Sequence, residues 1–203
     1  MFGIAETMWR LIVISATAVI MAPMTLGQET PPQPSCTLPQ MLAARAKVQG
    51  GSATFTQERR IHYVRDPLSS AGRLRYIAPD HLEMIVERPQ QESFIYDDGV
   101  LSFDTADGKS AGQVSVDSDL LLSATFSGLV GTLSGNEDEL RRTFFVEFAA
   151  DACHWRMKLT PKSKRVAEKV QAIDLKGRDQ HLDQVDILQA NGDRSVIMIT
   201  DQP

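Results

Sequence analysis

The chain predicts a mainly β domain with a few helices, built as a barrel or strongly curved antiparallel sheet. Three observations carry that expectation. From Ser52 onward the apolar residues recur with period 2, the mark of strands with one face buried and one solvated. Turn-forming clusters punctuate the alternation at intervals of roughly 8–12 residues, a spacing that suits about ten short strands in one domain. A single long apolar segment, DLLLSATFSGLVGTL over residues 119–133, breaks the pattern and reads as a helix.

The elements follow in order. Leu11–Ala22 is an uncharged apolar run behind Arg10, and Pro23 and Gly27 follow it. It fits the core of a secretory signal and falls short of the roughly 18–20 residues that span a bilayer. Three readings stand: a signal peptide over residues 1–27 that is cleaved, a retained N-terminal anchor of an exported protein, or, last, a cytosolic protein. Residues 28–36 form a linker, since Pro31-Pro32-Gln33-Pro34 is barred from a helix interior. The domain then runs over residues 37–203. It opens with a helix from Thr37 to Val48, capped by Thr37 and stopped by Gly50-Gly51.

The strands come next. Leu74 and Tyr76 alternate with arginines; Leu82, Met84 and Val86 alternate with Glu83, Ile85 and Glu87. Phe144, Val146 and Phe148 share one parity, as do Trp155, Met157 and Leu159. Turns are expected at Ala78-Pro79-Asp80, Asp97-Asp98-Gly99, Asp107-Gly108, Lys176-Gly177 and Asn191-Gly192-Asp193. On the apolar helix, Leu122, Phe126, Leu129, Val130 and Leu133 fall on one stripe, and Gly128 and Gly131 weaken it by about 1 kcal/mol each relative to Ala. Such a helix is either a core element on the sheet or a lid over its concave side.

Composition and motif content exclude several functions. A net charge of −5 argues against a general nucleic-acid binder. His62, His81, His154 and His181 are scattered, with no pair at metal-ligand spacing. The HExxH, GxSxG and GxxxxGK[ST] patterns are absent. The chain therefore reads as a binding module rather than an enzyme, with no cofactor. Cys36 and Cys153 either form a disulfide, plausible in an exported chain, or remain two thiols.

Four motifs carry a family resemblance. Phe55-Thr56-Gln57 resembles the Phe-x-Gln opening strand of the LolA-type outer-membrane lipoprotein carriers, and Gly72-Arg73-Leu74-Arg75-Tyr76-Ile77-Ala78-Pro79 resembles their Gly-x-Leu-x-aromatic-x-x-Pro strand. Glu87-Arg88-Pro89 with Asp98-Gly99-x-Leu101, and then Leu159-Thr160-Pro161-Lys162, are similar to the segments that follow in the same order. The resemblance implies a half-open, curved antiparallel β-barrel covered by an α-helical lid, working in the periplasm. It implies a monomeric carrier of acylated lipoprotein or related lipid, loaded by an inner-membrane transporter and emptied to an outer-membrane acceptor. A lipid- or lipoprotein-sensing accessory protein on the same fold is the alternative.

The family places an arginine before the proline of its second motif, where it bonds the lid; this chain has Ala78 there. Arg88, matching Leu82, Met84 and Val86 in parity, is the candidate replacement latch. The expected lipid-binding residues are Leu74, Tyr76, Leu82, Met84, Val86, Phe144, Phe148, Trp155, Met157 and Leu159 from the sheet, with Leu122, Phe126, Leu129 and Val130 from the lid.

Overall fold

The computed structural model describes residues 36–105 and 111–201. The signal segment, the linker up to residue 35 and the Asp107-Gly108 turn lie outside the described residues. Helix α1 (Leu38–Arg45) leads into β1 (Gly50–Arg60), β2 (Leu68–Ile77), β3 (His81–Arg88), β4 (Glu92–Asp97), β5 (Val100–Thr105) and β6 (Ala111–Ser115). A short 3₁₀ turn, Val116–Ser118, precedes α2 (Leu120–Leu133) and α3 (Glu137–Thr143). The chain ends with β7 (Phe144–Asp151), β8 (His154–Pro161), α4 (Lys164–Ala167), β9 (Val170–Arg178), β10 (His181–Gln189) and β11 (Arg194–Asp201).

These strands make one antiparallel sheet in the order β6-β5-β4-β3-β2-β1-β11-β10-β9-β8-β7. Two meanders are thus sewn together where β11 pairs with β1, Phe55 opposite Ile199 and Gln57 opposite Ile197. The outer strands β6 and β7 are not paired with each other, so the curved sheet stays open. Alternation sets the faces: Leu74 stands opposite Met84 and Tyr76 opposite Leu82, all on the concave side.

The concave side of β7–β9 is filled. Phe144, Met157, Leu159, Ile173 and Leu175 form a core with Met41 and Leu42 of α1, Ala124 and Leu133 of α2, and Leu140 of α3. Helix α2 starts one residue after Asp119, whose carboxylate accepts from Leu121 N at 2.8 Å and Leu122 N at 3.0 Å. Its two interior glycines are packing residues. A Cβ on Gly128 would stand 3.1 Å from Leu159 Cδ1 and 3.2 Å from Ile173 Cδ1, and one on Gly131 would stand 2.9 Å from Leu140 Cδ2. The cost in helix propensity is offset by a close approach of helix to sheet.

Two local expectations need correction. Helix α1 ends at Arg45 and not at Val48, because Val48 N turns back to Arg45 O at 2.8 Å; Gly50-Gly51 instead open β1. Lys176-Gly177 is not a turn but the end of β9. Gly177 sits where a Cβ would be 2.4 Å from Trp155 Cζ2, and the turn falls at Asp179-Gln180, with Asp179 at φ 51°. Helices α3 and α4 have no counterpart in the sequence reading. Asn136 caps α3 by accepting from Glu139 N, with Glu137, Asp138 and Glu139 in its first turn. The turns at Ala78-Pro79-Asp80, Asp98-Gly99 and Asn191-Gly192 lie where the sequence puts them. A disulfide joins Cys36, just ahead of α1, to Cys153 in the β7–β8 turn.

Candidate functional site

The other half of the concave face is hollow. Between β1–β5, β10, β11 and the free flank of α2 lies a cavity of about 750 Å³, within the usual size of small-molecule sites. Leu74, Tyr76, Leu82, Met84 and Val86 line it from the sheet, and Leu122, Phe126 and Leu129 from the helix. Helix α2 is therefore two-faced. Ala124, Gly128 and Gly131 seat it on the core, while its larger apolar side chains overhang the hollow. Phe126 stacks on Tyr96 of β4, ring centroids 4.5 Å apart and planes 11° apart, a contact worth about 0.5–1.5 kcal/mol beyond its buried area.

The remaining expected residues lie elsewhere. Phe144, Trp155, Met157 and Leu159 are buried in the filled half, with Phe148 and Val146 packed against them. Val130 is on α2 but is not among the cavity-lining residues. Parity put these side chains on the concave face, yet α2 and α3 occupy the space above β7–β9. Arg88 is also displaced. A bulge in β3 pairs Ala71 with Arg88 but Gly72 with Val86, so the alternation breaks at Glu87. Arg88 ends exposed, in a groove with Thr56, Glu58 and Met198, side chains of the opposite face.

Sequence reasoning missed several lining residues. Phe94, Tyr96 and Leu101 continue the row begun by Met84 and Leu82, and their own alternation was a usable signal. Ala53, Val185, Ile187, Ile197 and Ile199 complete the floor; β1 and β11 meet there through pairing distant in sequence.

Arg45 is the missed residue that matters most. It is buried at 8% exposure at the end of α1 and lines the cavity. Its Nε donates to Leu133 O at 3.1 Å and Nη1 to Gln180 O at 2.9 Å, while the guanidinium lies 5.6 Å from the centre of the Tyr76 ring. Leu133 is the last residue of α2, so its carbonyl lacks an intrahelical donor. A cation at that point also meets the negative end of the helix dipole. Burial raises the Tyr76 hydroxyl above its ordinary pKa, and Arg45 opposes that shift; the hydroxyl donates to Pro79 O at 2.9 Å.

On the outer face His81 Nε2 lies 2.9 Å from Glu83 Oε1, and Nδ1 lies 3.5 Å from Asp97 Oδ1. The Glu83 bond raises the pKa of His81; desolvation, next in size, opposes it, and Asp97 adds to the rise. Neither of its partners is a hydroxyl or thiol. Among the described residues no group of three or more His, Cys, Asp or Glu side chains could hold a metal ion, and no helix is long and apolar enough to cross a membrane.

Comparison with known proteins adds three findings. A family model described as outer membrane lipoprotein carrier protein LolA-like matches residues 32–201. No curated protein matches the chain. Solved structures are similar to it at very low identity. A LolA superfamily protein from Nitrosomonas europaea is 7% identical, with 82% of this chain and 93% of that chain covered and a TM-score of 0.43. A putative outer membrane lipoprotein-sorting protein domain from Vibrio parahaemolyticus is 10% identical, with coverage of 81% and 89% and a TM-score of 0.44. The MucA/MucB complex of Pseudomonas aeruginosa gives 8% identity, coverage of 81% and 56%, and a TM-score of 0.44.

Proposed function

The chain belongs to the LolA-like family of outer membrane lipoprotein carrier proteins, and we propose that it is itself an exported carrier of acylated cargo. In this reading it collects the acyl chains of a lipoprotein or related lipid from an inner-membrane transporter. It shields them across the periplasm as a monomer and yields them to an outer-membrane acceptor. The observation that carries the reading is the 750 Å³ cavity, apolar in its lining and roofed by α2. Exposing an acyl chain to water costs about 0.8 kcal/mol per CH₂, so aqueous passage requires such a cover. Burial of the guest supplies the holding energy, and no chemical step is asked of the protein. The Cys36–Cys153 disulfide and the N-terminal apolar run suit an oxidising compartment outside the cytoplasm.

The lid is held at its middle by the Phe126–Tyr96 stack and at its C-terminal end by the Arg45 bond to Leu133 O. Entry of a guest displaces Phe126 and Leu129 from the hollow, while the Ala124–Gly128–Gly131 face stays seated. The test is native purification from the exported compartment, followed by mass spectrometry of extracted lipids and lipopeptides. Triacylated peptides are the expected cargo. A protein that comes out empty and takes up no apolar fluorophore would overturn the reading in favour of the sensing role.

A further inference from the structure

The cavity is not uniformly apolar along its length, and its polar groups gather at one end. On the floor, Gln57 of β1 stands opposite Ser70 of β2, and Ser195 of β11 pairs two residues along with Arg59. All line the hollow. The three uncharged side chains are already linked: Gln57 Nε2 donates to Ser195 Oγ at 2.7 Å, and Ser70 Oγ donates to Gln57 Oε1 at 3.1 Å. This chain of bonds crosses three strands and leaves the second Nε2 hydrogen of Gln57 and the hydroxyl hydrogen of Ser195 without an acceptor among the described residues. Two spare donors side by side suit one carbonyl oxygen.

The position of this bridge sets a direction. Ser70 and Tyr76 are six residues apart on β2, about 20 Å along the strand. The Tyr76 end lies under α2, with Phe126 and Leu129 above and Arg45 closing it. The Ser70 end is open, where Arg59, Leu68 and Ser69 of the cavity wall are exposed. Arg59 and Glu92 at this end carry opposite charges, so the rim has no net preference for an anion. Resting on the carrier reading, we propose that Gln57, Ser70 and Ser195 form a headgroup subsite for a neutral acyl ester or amide. The guest lies with its carbonyl on the bridge and its chain running beneath α2 toward Tyr76.

The test uses the full chain purified free of lipid and three probes: diphenylhexatriene, which has no headgroup, monopalmitoylglycerol and palmitate. The wild-type protein binds diphenylhexatriene, and monopalmitoylglycerol displaces it at lower concentration than palmitate does. Gln57→Leu with Ser195→Ala weakens the glycerol ester roughly tenfold, the loss of one to two net hydrogen bonds, and leaves diphenylhexatriene within about twofold. If the double variant unfolds, Ser195→Ala alone gives the same order with a severalfold loss. An unchanged ester affinity, an equal loss for diphenylhexatriene, or a preference for palmitate overturns the headgroup subsite while the carrier reading survives. Failure of the wild-type protein to bind any probe removes both.

Discussion

Replacing Arg45 probes how α2 is held. The guanidinium is buried and donates to Leu133 O and Gln180 O, so Arg45→Ala strands two carbonyls at once. An unsatisfied buried acceptor costs roughly 1–3 kcal/mol. Water that enters the vacated space along the cavity wall recovers part of that cost. The favourable charge at the α2 terminus is lost as well, worth about 0.3–1 kcal/mol, with the contact on the Tyr76 ring beside it. The expected net loss is about 3 kcal/mol in urea unfolding at constant slope. Arg45→Lys recovers less than half, since an ammonium has no planar fork to span Leu133 O and Gln180 O. The loss is local in origin, so amide exchange should quicken in α2 and at Gln180 before the β8–β9 core is affected. Release of a bound apolar fluorophore should accelerate in parallel. A destabilisation below about 1 kcal/mol, or exchange quickened equally across all strands, would refute the idea that Arg45 ties α1, α2 and the β9–β10 turn together.

Other consequences can be checked with the same preparation. Leu129→Asp places a carboxylate in the cavity roof, so fluorophore affinity should fall at least tenfold while the urea midpoint shifts by less than about 1.5 kcal/mol equivalent; wholesale unfolding would mark Leu129 as core. Reducing Cys36–Cys153, separated by 117 residues, should lower stability by up to about 4–5 kcal/mol in the chain-entropy model, seen as a drop in Tm with reductant. His81 has its folded pKa raised by Glu83 and Asp97. Its contribution is therefore fully present below the unfolded pKa and is lost as pH rises through the folded one. Both partners are near the surface, so the effect stays below about 1 kcal/mol, and His81→Gln should flatten the stability profile in that window.

The contrast between the two halves of the sheet explains which features were legible in the sequence. Trp155, Met157 and Leu159 on β8 and Leu82, Met84 and Val86 on β3 carry the same alternation, and both sets stand on the concave face. One set is sealed core and the other mostly lines a hollow. Parity reports only which face a side chain takes, because that is fixed within a strand by the pleat. Whether anything fills the space above depends on where α2 comes to rest. That is decided by Ala124, Gly128 and Gly131 fitting Leu159, Ile173 and Leu140, residues brought together only by the fold. Bulges set a second limit. One extra residue at Glu87 was enough to turn Arg88 to the other face, and no residue type in that stretch announces it. Arg45 was hidden for a third reason. It lies in an amphipathic helix where an arginine reads as solvated, and its partners Leu133 and Gln180 are backbone carbonyls, which leave no trace in side-chain chemistry. The strand pattern thus indicates which face of the sheet is concave and apolar, and long-range packing decides which half of that face remains hollow.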